Sequence, residues 1–267
     1  MMGDTAVLWS VGGIELLKAV SVHHSYPRHW HDTYVVEVVE RGANGFYCPK
    51  GTFTAQTGDL IVFHPGEVHT GYRVGDPPLH YRSIYPKPGL LAQIAAEIGG
   101  SARPPVFDAP IIQDSLLACE ILRAHQLLQT PCDTLKSESL LMVIFGQLLT
   151  RHSNSKSTTR GETFPGIVLK PAIEHLNENF TSEISLQILS NLCGMSRFHF
   201  LRVFRATLGL PPFEYLTNLR VRYAKRMLAS GKDIVESAQA SGFYDQSHLN
   251  RHFKRIVGVT PGQYRAQ

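Results

Sequence analysis

The stretch of residues 242–265 contains the residue types of a helix that contacts DNA. If residues 246–257 are helical, four apolar residues fall on one face: Leu249, Phe253, Ile256 and Val257. The opposite face presents two amides, a hydroxyl and two cations, and it has no acid: Gln246, Ser247, Asn250, Arg251 and Lys254. Such donors and acceptors contact base edges and phosphates in a major groove. Taken alone, the stretch also fits an ordinary solvated helix face.

A similar pattern occurs 49 residues earlier. Six pairs are identical at this offset: His199/His248, Arg202/Arg251, Phe204/Phe253, Gly209/Gly258, Pro212/Pro261 and Tyr215/Tyr264. In each copy a short apolar helix, over residues 186–192 or 234–240, precedes a turn containing glycine and a second helix. This is the layout of a helix-turn-helix. Residues 212–230 are expected to form one long helix that fixes the spacing of the two units. Its spacing predicts a buried stripe of Phe213, Leu216, Leu219, Tyr223 and Met227.

Helix-capping residues support these boundaries. Ser196 and Asp245 stand where the second helix of each unit should begin. Two pairs have the spacing of a capping box, Asp233 with Glu236 and Thr260 with Gln263.

The run from Ala238 to Arg265, A-x3-GF-x-D-x-S-x3-R-x-F-K-x3-G-x-TP-x2-YR, resembles the signature of the AraC/XylS family of bacterial transcription regulators. The earlier unit, around Ser196, His199, Leu201 and Phe204, resembles that family's first helix-turn-helix. The resemblance covers about the last hundred residues. It implies a DNA-binding domain whose two recognition helices enter successive major-groove segments of promoter DNA, about 34 Å apart.

The resemblance also implies roles for individual residues. Base contacts fall on seven positions: Phe198, Leu201, Arg202, Gln246, Ser247, Asn250 and Arg251. We assign phosphate contacts to Arg197, Arg205, Lys254 and Arg255. Phe198 and Leu201 suit thymine methyls and DNA shape, and Arg202 suits a guanine or a phosphate; Leu201 could instead face the core. His199 and His248 are expected to pack or to lie near phosphates.

Composition and charge divide the chain in two. The 267 residues are 43% hydrophobic and 18% charged, which is ordinary for globular domains. Residues 166–267 contain 13 Lys+Arg and 7 Asp+Glu, a net charge of +6, whereas residues 1–165 contain 13 and 15, a net charge of −2. The positive charge therefore belongs to the part that should bind nucleic acid. The four cysteines have no C-x2-C spacing, and no leader or membrane segment is evident, so we expect a cytoplasmic, nucleoid-associated bacterial protein.

The first part has the pattern of short antiparallel strands. Runs at 33–40, 45–48, 53–57, 60–63 and 80–85 are separated by glycine-containing turns. The expected fold is therefore α+β multidomain: a cupin- or jelly-roll-like antiparallel β-barrel over residues 1–110, then an all-α domain over 166–267. Between them we expect a helical hairpin over 111–150, broken at Pro131-Cys132-Asp133, and a polar linker over 151–165. The first helix of the hairpin has an apolar stripe that is expected to be buried: Leu116, Leu117, Ile121, Leu122, His125 and Leu128. The resemblance implies that the hairpin forms a homodimer, although its apolar stripes could simply pack on the barrel.

Three histidines of this part could bind a metal or an organic effector. His29, His31 and the later His69 resemble the short motifs of cupin barrels, and also the effector-binding barrel of AraC-type regulators. Five residues separate His31 from Glu37, where metal cupins usually have three or four, which argues against Glu37 as a ligand. A metal site, an effector pocket and merely structural histidines all stay open. The candidate pocket residues are His29, His31, Tyr34, Phe46, His69, Tyr72, Tyr81 and Arg82.

We therefore interpret the chain as a non-enzymatic transcription regulator. A small-molecule effector in the barrel would control its binding to double-stranded promoter DNA or its contact with RNA polymerase. No cofactor is expected, although a divalent metal at His29, His31 and His69 is possible. The alternatives are a metal-dependent cupin enzyme or metal sensor that uses these histidines, and an architectural DNA-binding protein. The sequence does not specify the effector, the operator or the sign of regulation.

Overall fold

The computed structural model describes residues 5–23, 25–98, 102–129, 134–154 and 164–266. The described strands are β1 (Thr5–Val11), β2 (Ile14–Val22), β3 (Tyr26–His29), β4 (Val35–Arg41), β5 (Ala43–Cys48), β6 (Gly51–Gln56), β7 (Leu60–Phe63), β8 (His69–Arg73), β9 (Leu79–Tyr85) and β10 (Ile111–Ile112). The described helices are α1 (Pro88–Glu97), α2 (Ser115–Leu127), α3 (Thr134–His152), α4 (Phe164–Asn179), α5 (Leu186–Leu192), α6 (Arg197–Leu208), α7 (Pro212–Ala229), α8 (Ile234–Ala240), α9 (Gln246–Val257) and α10 (Pro261–Arg265). The chain divides into two compact units. The first contains the described strands other than β3, together with α1–α3, and the second contains β3 and α4–α10.

The strands form two antiparallel sheets. The larger has the order β1-β2-β9-β4-β7-β10, and the smaller has the order β3-β8-β5-β6. The predicted antiparallel architecture is confirmed, but the described strands form two facing sheets instead of one closed barrel. Rings of Phe46 in the small sheet and Phe63 in the large sheet meet at 5.1 Å, which places an interior between the sheets.

Strand β4 is buried on both faces, because helices cover one side of the large sheet and the small sheet covers the other. Val36 and Val38 belong to the cluster that packs against α1, α2 and α3. Successive side chains of a strand point to opposite faces, so Val35, Glu37 and Val39 face the interior. This double burial explains the nearly continuous valine run of the strand.

The predicted helical hairpin corresponds to α2 and α3. Leu117, Ile121, His125 and Leu128 are buried as the stripe predicts, whereas Leu116 is 72% exposed. The periodicity assigned Leu116 to the buried face wrongly, because the neighbouring Leu117 occupies that face. The predicted break at 131–133 lies outside the described residues.

Several boundaries between segments of the chain differ from the predicted ones. The domain boundary at 110/111 falls just before β10, which pairs with β7. Two described segments of the predicted linker, residues 151–152 and 164–165, are helical, and residues 155–163 lie outside the described residues.

Cys48, Cys119 and Cys193 are free thiols, and Cys132 lies outside the described part.

The second unit contains two helix-turn-helix motifs, α5–α6 and α8–α9, with α7 between them. The bounds of α5, α8 and α9 coincide with the predicted ones. Ser196 and Asp245 accept hydrogen bonds from the backbone N–H groups of His199 and His248, as expected of N-caps. The Thr260–Gln263 capping box is present. Asp233 is an N-cap, whereas the Glu236 side chain pairs with Lys232 at 2.8 Å.

Helix α7 is the predicted connector and ends one residue earlier, at Ala229. Leu216 and Leu219 are buried as predicted, but Phe213 is 66% exposed. Phe213 lies in the first turn of α7, where the neighbouring Pro212 is the buried residue. The Arg220 side chain donates to the carbonyl oxygens of Phe180 at 2.7 Å and Ser182 at 2.9 Å, which holds the segment after α4 against α7.

Among the described helices, none combines the length and apolarity that crossing a bilayer requires.

Candidate DNA interface and effector site

Helix α9 separates its polar and apolar residues as the sequence predicts. Leu249, Phe253 and Ile256 are buried against the rest of the unit. The predicted contact face points outward: Gln246, Ser247, Arg251 and Lys254 are exposed, and Asn250 is half-buried. Arg255, the remaining predicted phosphate contact of this helix, is also exposed. The helix thus presents amides, a hydroxyl and cations to solvent on a rigidly packed support.

Helix α6 presents a different surface. Phe200 and Phe204 are fully buried, whereas Leu201 is 37% exposed, so Leu201 does not face the core. The cations Arg197, Arg202 and Arg205 are exposed. The side chain of Phe198 lies outside the described part of the structure.

The two equivalent histidines have different surroundings. His199 is exposed, and its Nδ1 lies 3.3 Å from an Arg202 guanidinium nitrogen, so the ring can hold that arginine across one helical turn. His248 is half-buried and makes edge contacts with Phe243 at 5.3 Å and with His252 at 4.9 Å. Packing is therefore part of the role of His248.

The interior between the two sheets contains a buried carboxyl group. Glu37 accepts hydrogen bonds from Asn44 Nδ2 at 2.6 Å and from Ser83 Oγ at 3.1 Å. Burial raises the pKa of Glu37 from about 4.5 to about 7, although both hydrogen bonds lower it. The Oδ1 atom of Asn44 is buried and has no partner among the described residues. An unsatisfied buried acceptor is costly, so this site is suited to a ligand that donates a hydrogen bond.

Two of the three predicted histidines, His31 and His69, lie together in the first unit, whereas His29 belongs to the second. The ring of His69 stacks on Phe63 at 3.9 Å. The ring of His31 lies 5.3 Å from both His69 and Tyr85.

The other predicted pocket residues are divided between faces. Phe46 contacts Phe63 in the interior, and Tyr81 pairs with Val39, which puts it on the interior face of β9. Tyr72 covers Gly45 so closely that a Cβ there would lie 2.4 Å from its ring. Because Gly45 and Phe46 are consecutive in a strand, Tyr72 lies on the outer face of the small sheet.

Tyr34 and Arg82 lie on the helix side of the large sheet, away from the histidines. The Tyr34 hydroxyl donates to the carbonyl oxygen of Pro105 at 2.6 Å. Arg82 lies 3.2 Å from Glu40 and donates to His125 Nδ1 at 3.1 Å. Burial and the Arg82 charge lower the pKa of His125 to about 4, so this imidazole is neutral and can accept.

Sequence reasoning missed the group around Glu37. The cupin-like motif indicates Glu37 only as a possible metal ligand, and it gives no reason to expect Asn44 or Ser83 beside it. The available signal was an acid within the apolar run of β4, where every neighbour is a valine. Such an acid must find partners inside the protein.

The fold and these two sites define a DNA-binding protein with a separate ligand-binding domain, and comparisons with known proteins agree. The model of the AraC-like ligand binding domain matches residues 11–145, and that of a helix-turn-helix domain matches residues 189–267. An uncharacterized HTH-type transcriptional regulator of Bacillus subtilis, YbfI, is 30% identical over 236 residues, covering 88% of this chain and 86% of its own. The MmsAB operon regulatory protein of Pseudomonas aeruginosa is 25% identical over 264 residues, covering 91% of this chain and 78% of its own.

A solved structure shows the same fold along the whole chain. The apo form of a ToxT variant from Vibrio cholerae superposes with a TM-score of 0.58, at 11% identity, covering 98% of this chain and 96% of its own. The chain belongs to the AraC family of transcription regulators. It is a DNA-binding regulator with an N-terminal ligand-binding domain.

Proposed function

We propose that this regulator recognises its promoter mainly through α9 and is controlled by a small polar effector bound between its two sheets. The observation that supports the first part is the outward face of α9. Its amides and Arg251 suit hydrogen-bonded contacts with bases, and Lys254 and Arg255 suit phosphates. Helix α6 would add Arg202 and the exposed Leu201, which suits the methyl group of thymine.

The effector proposal is supported by Glu37 and Asn44. A ligand hydroxyl or amino group would satisfy the unpaired Asn44 Oδ1, and Glu37 could accept a further hydrogen bond. A solved form of ToxT holds an unsaturated fatty acid. In this chain an acidic ligand beside Glu37 would face like-charge repulsion once both groups ionised. We therefore infer an effector with hydrogen-bond donors, such as a polyol or an amine.

Control of DNA binding would follow from linkage. An effector changes promoter affinity, or contact with RNA polymerase, only by its differential affinity for two states of the protein. We propose a homodimer formed through α2 and α3, whose exposed apolar side chains in the described part include Leu116, Leu127, Met142 and Val143. The chain would act in the cytoplasm without catalysis of its own.

The test begins with DNA selected by the full-length protein from a random-sequence pool. Affinity for the selected site and for a scrambled site is then measured with and without polyols, amines and fatty acids. A polyol or amine should change the specific affinity in the wild-type protein and not in Asn44→Ala. Fatty acids acting alone, with equal effect in both proteins, would contradict the effector assignment without affecting DNA recognition.

A further inference from the structure

Two histidines lie one turn apart on α9, at the edge of its exposed face. His248 and His252 are four residues apart, a spacing that puts two side chains on the same side of a helix. Both are half-buried, so solvent reaches them. The centres of their rings are 4.9 Å apart. We propose that His248 and His252 together bind one divalent transition-metal ion.

The separation of the two rings suits a shared ion. A zinc ion lies about 2.1 Å from each imidazole nitrogen that binds it, so the centres of two rings on one tetrahedral ion are about 5 Å apart. Histidines at the same helical spacing hold zinc in the H-E-x-x-H helices of metalloproteases. Rotation about the side-chain bonds of His248 and His252 is therefore enough to point one nitrogen of each ring at the same ion.

Packing explains the position of these rings but not their polar atoms. The buried ring of Phe243 supports both, with its centre 5.3 Å from that of His248 and 6.0 Å from that of His252. Among the described residues, none forms a hydrogen bond with a ring nitrogen of either histidine. Each neutral imidazole has one nitrogen lone pair, and both lone pairs are available to a metal.

The surroundings of the pair select the kind of ion. Arg251 and Arg255 are neighbouring cations that oppose any positive ion, although both are exposed and salt screens their charge. An ion held there must therefore form strong bonds to nitrogen. Two neutral imidazoles suit nickel, copper or zinc, whereas magnesium and calcium prefer oxygen ligands. The remaining coordination positions would be taken by water.

The first helix-turn-helix unit provides a matched control. His199 is the counterpart of His248 and is exposed on α6, but the residue four positions later is Val203. A single imidazole at this position has no second ring with which to share an ion. His199→Ala should therefore bind metal like the wild type.

The experiment is calorimetric titration of the untagged, chelator-treated full-length protein with nickel and with zinc. His248→Ala and His252→Ala should each bind one ion fewer than the wild type and His199→Ala. The double variant should lose no more than either single variant, because the ion needs both rings. Removal of a ligand should weaken this site by at least about a hundredfold, since loss of a supporting group alone costs roughly ten- to a hundredfold. The titration contains no DNA, so its outcome is independent of how α9 recognises a promoter.

Nuclear magnetic resonance of histidine-labelled protein locates the ion. The resonances missing in His248→Ala and in His252→Ala identify the two rings, and paramagnetic nickel should broaden both in step. His248→Gln and His252→Gln replace the alanine variants if these fail to fold, which circular dichroism shows. The proposal is overturned if the wild type and the folded double variant bind the same number of ions. It is equally overturned if nickel broadens one of the two resonances without the other.

Discussion

At the scale of single residues, Glu37 is the group whose chemistry departs furthest from its ordinary state. Its carboxyl is held between Asn44 and Ser83, and burial raises its pKa to about 7. The carboxyl therefore binds its proton more tightly in the folded chain than in the unfolded chain. The resulting contribution to stability is complete below pH 4.5 and is lost as the pH rises to about 7.

Glu37→Gln should remove this pH dependence, because the amide resembles the protonated carboxyl and does not titrate. Between pH 4.5 and pH 8, the wild-type protein should lose roughly 3 kcal/mol of unfolding free energy relative to the variant. Urea unfolding across that pH range measures the difference. Glu120→Gln, at an exposed position of α2, is the control and should follow the wild type. Parallel curves for the wild type and Glu37→Gln would show that Glu37 is ionised throughout the range.

Arg251 and Lys254 lie one turn apart on the exposed face of α9. Substitution of each should weaken DNA binding in a different way. Arg251→Ala should lose about 1–3 kcal/mol on the preferred site and relax specificity at one base pair, because a base contact disappears. Lys254→Ala should weaken all sequences alike and make the salt slope shallower by about one, because one phosphate contact disappears. Fluorescence anisotropy on specific and scrambled DNA at several salt concentrations separates the two outcomes. If Arg251→Ala lost the same affinity for specific and for scrambled DNA, Arg251 would contact the DNA backbone instead of a base.

At the scale of elements, the two helix-turn-helix units differ in how tightly their turns are packed. Gly194 and Gly242 each follow the first helix of a unit and have φ values of +63° and +77°. A Cβ at Gly194 would meet nothing within 4 Å, but one at Gly242 would lie 2.7 Å from the Thr181 carbonyl oxygen and 3.1 Å from Arg220 Nε. The second turn is therefore locked against the segment that follows α4.

Alanine at the two glycines should separate backbone strain from steric overlap. Gly194→Ala should destabilise the protein by about 1 kcal/mol, the usual cost of a left-handed conformation. Gly242→Ala should cost about 3 kcal/mol or more, because the Thr181 backbone must also move. Denaturant unfolding monitored by circular dichroism gives both values. If both variants lost the same unfolding free energy, the segment after α4 would be free to shift. That result would contradict the packing described for Arg220.

Local signals made the DNA-binding unit predictable, whereas the interior site depended on long-range pairing. Helix periodicity and caps such as Asp245 act within a few residues, so the bounds of α9 were correct. The Glu37 site needs the register of β4 with β9 and the approach of β5, which alternation alone does not specify. Tyr72 was expected in the pocket for its residue type, yet its face follows from its pairing with Gly45.

At the scale of the whole molecule, the net charge differs between the two parts of the chain. The net charge of +6 lies in residues 166–267, and the first part has a net charge of −2. The first unit also exposes apolar side chains on α2 and α3, with Leu116 at 72% and Val143 at 57%. Exposed apolar groups on paired helices indicate a surface for association. A second copy of the chain would bring two DNA-binding units to one promoter.

Val143→Asp and Leu116→Asp should therefore weaken dimerisation without unfolding the chain, since both side chains are exposed. We expect the wild type to sediment as a dimer at micromolar concentration and each variant to be mainly monomeric, because the interface would have to bury a carboxylate. Ala102→Asp adds the same charge at an exposed position outside the two helices and should stay dimeric. On DNA with two binding sites the monomeric variants should lose the affinity gain from linkage between subunits, while their affinity for a single site stays unchanged. A wild-type protein that is monomeric at all concentrations, on and off DNA, would reject the dimer and leave the apolar face of α2 and α3 to another partner.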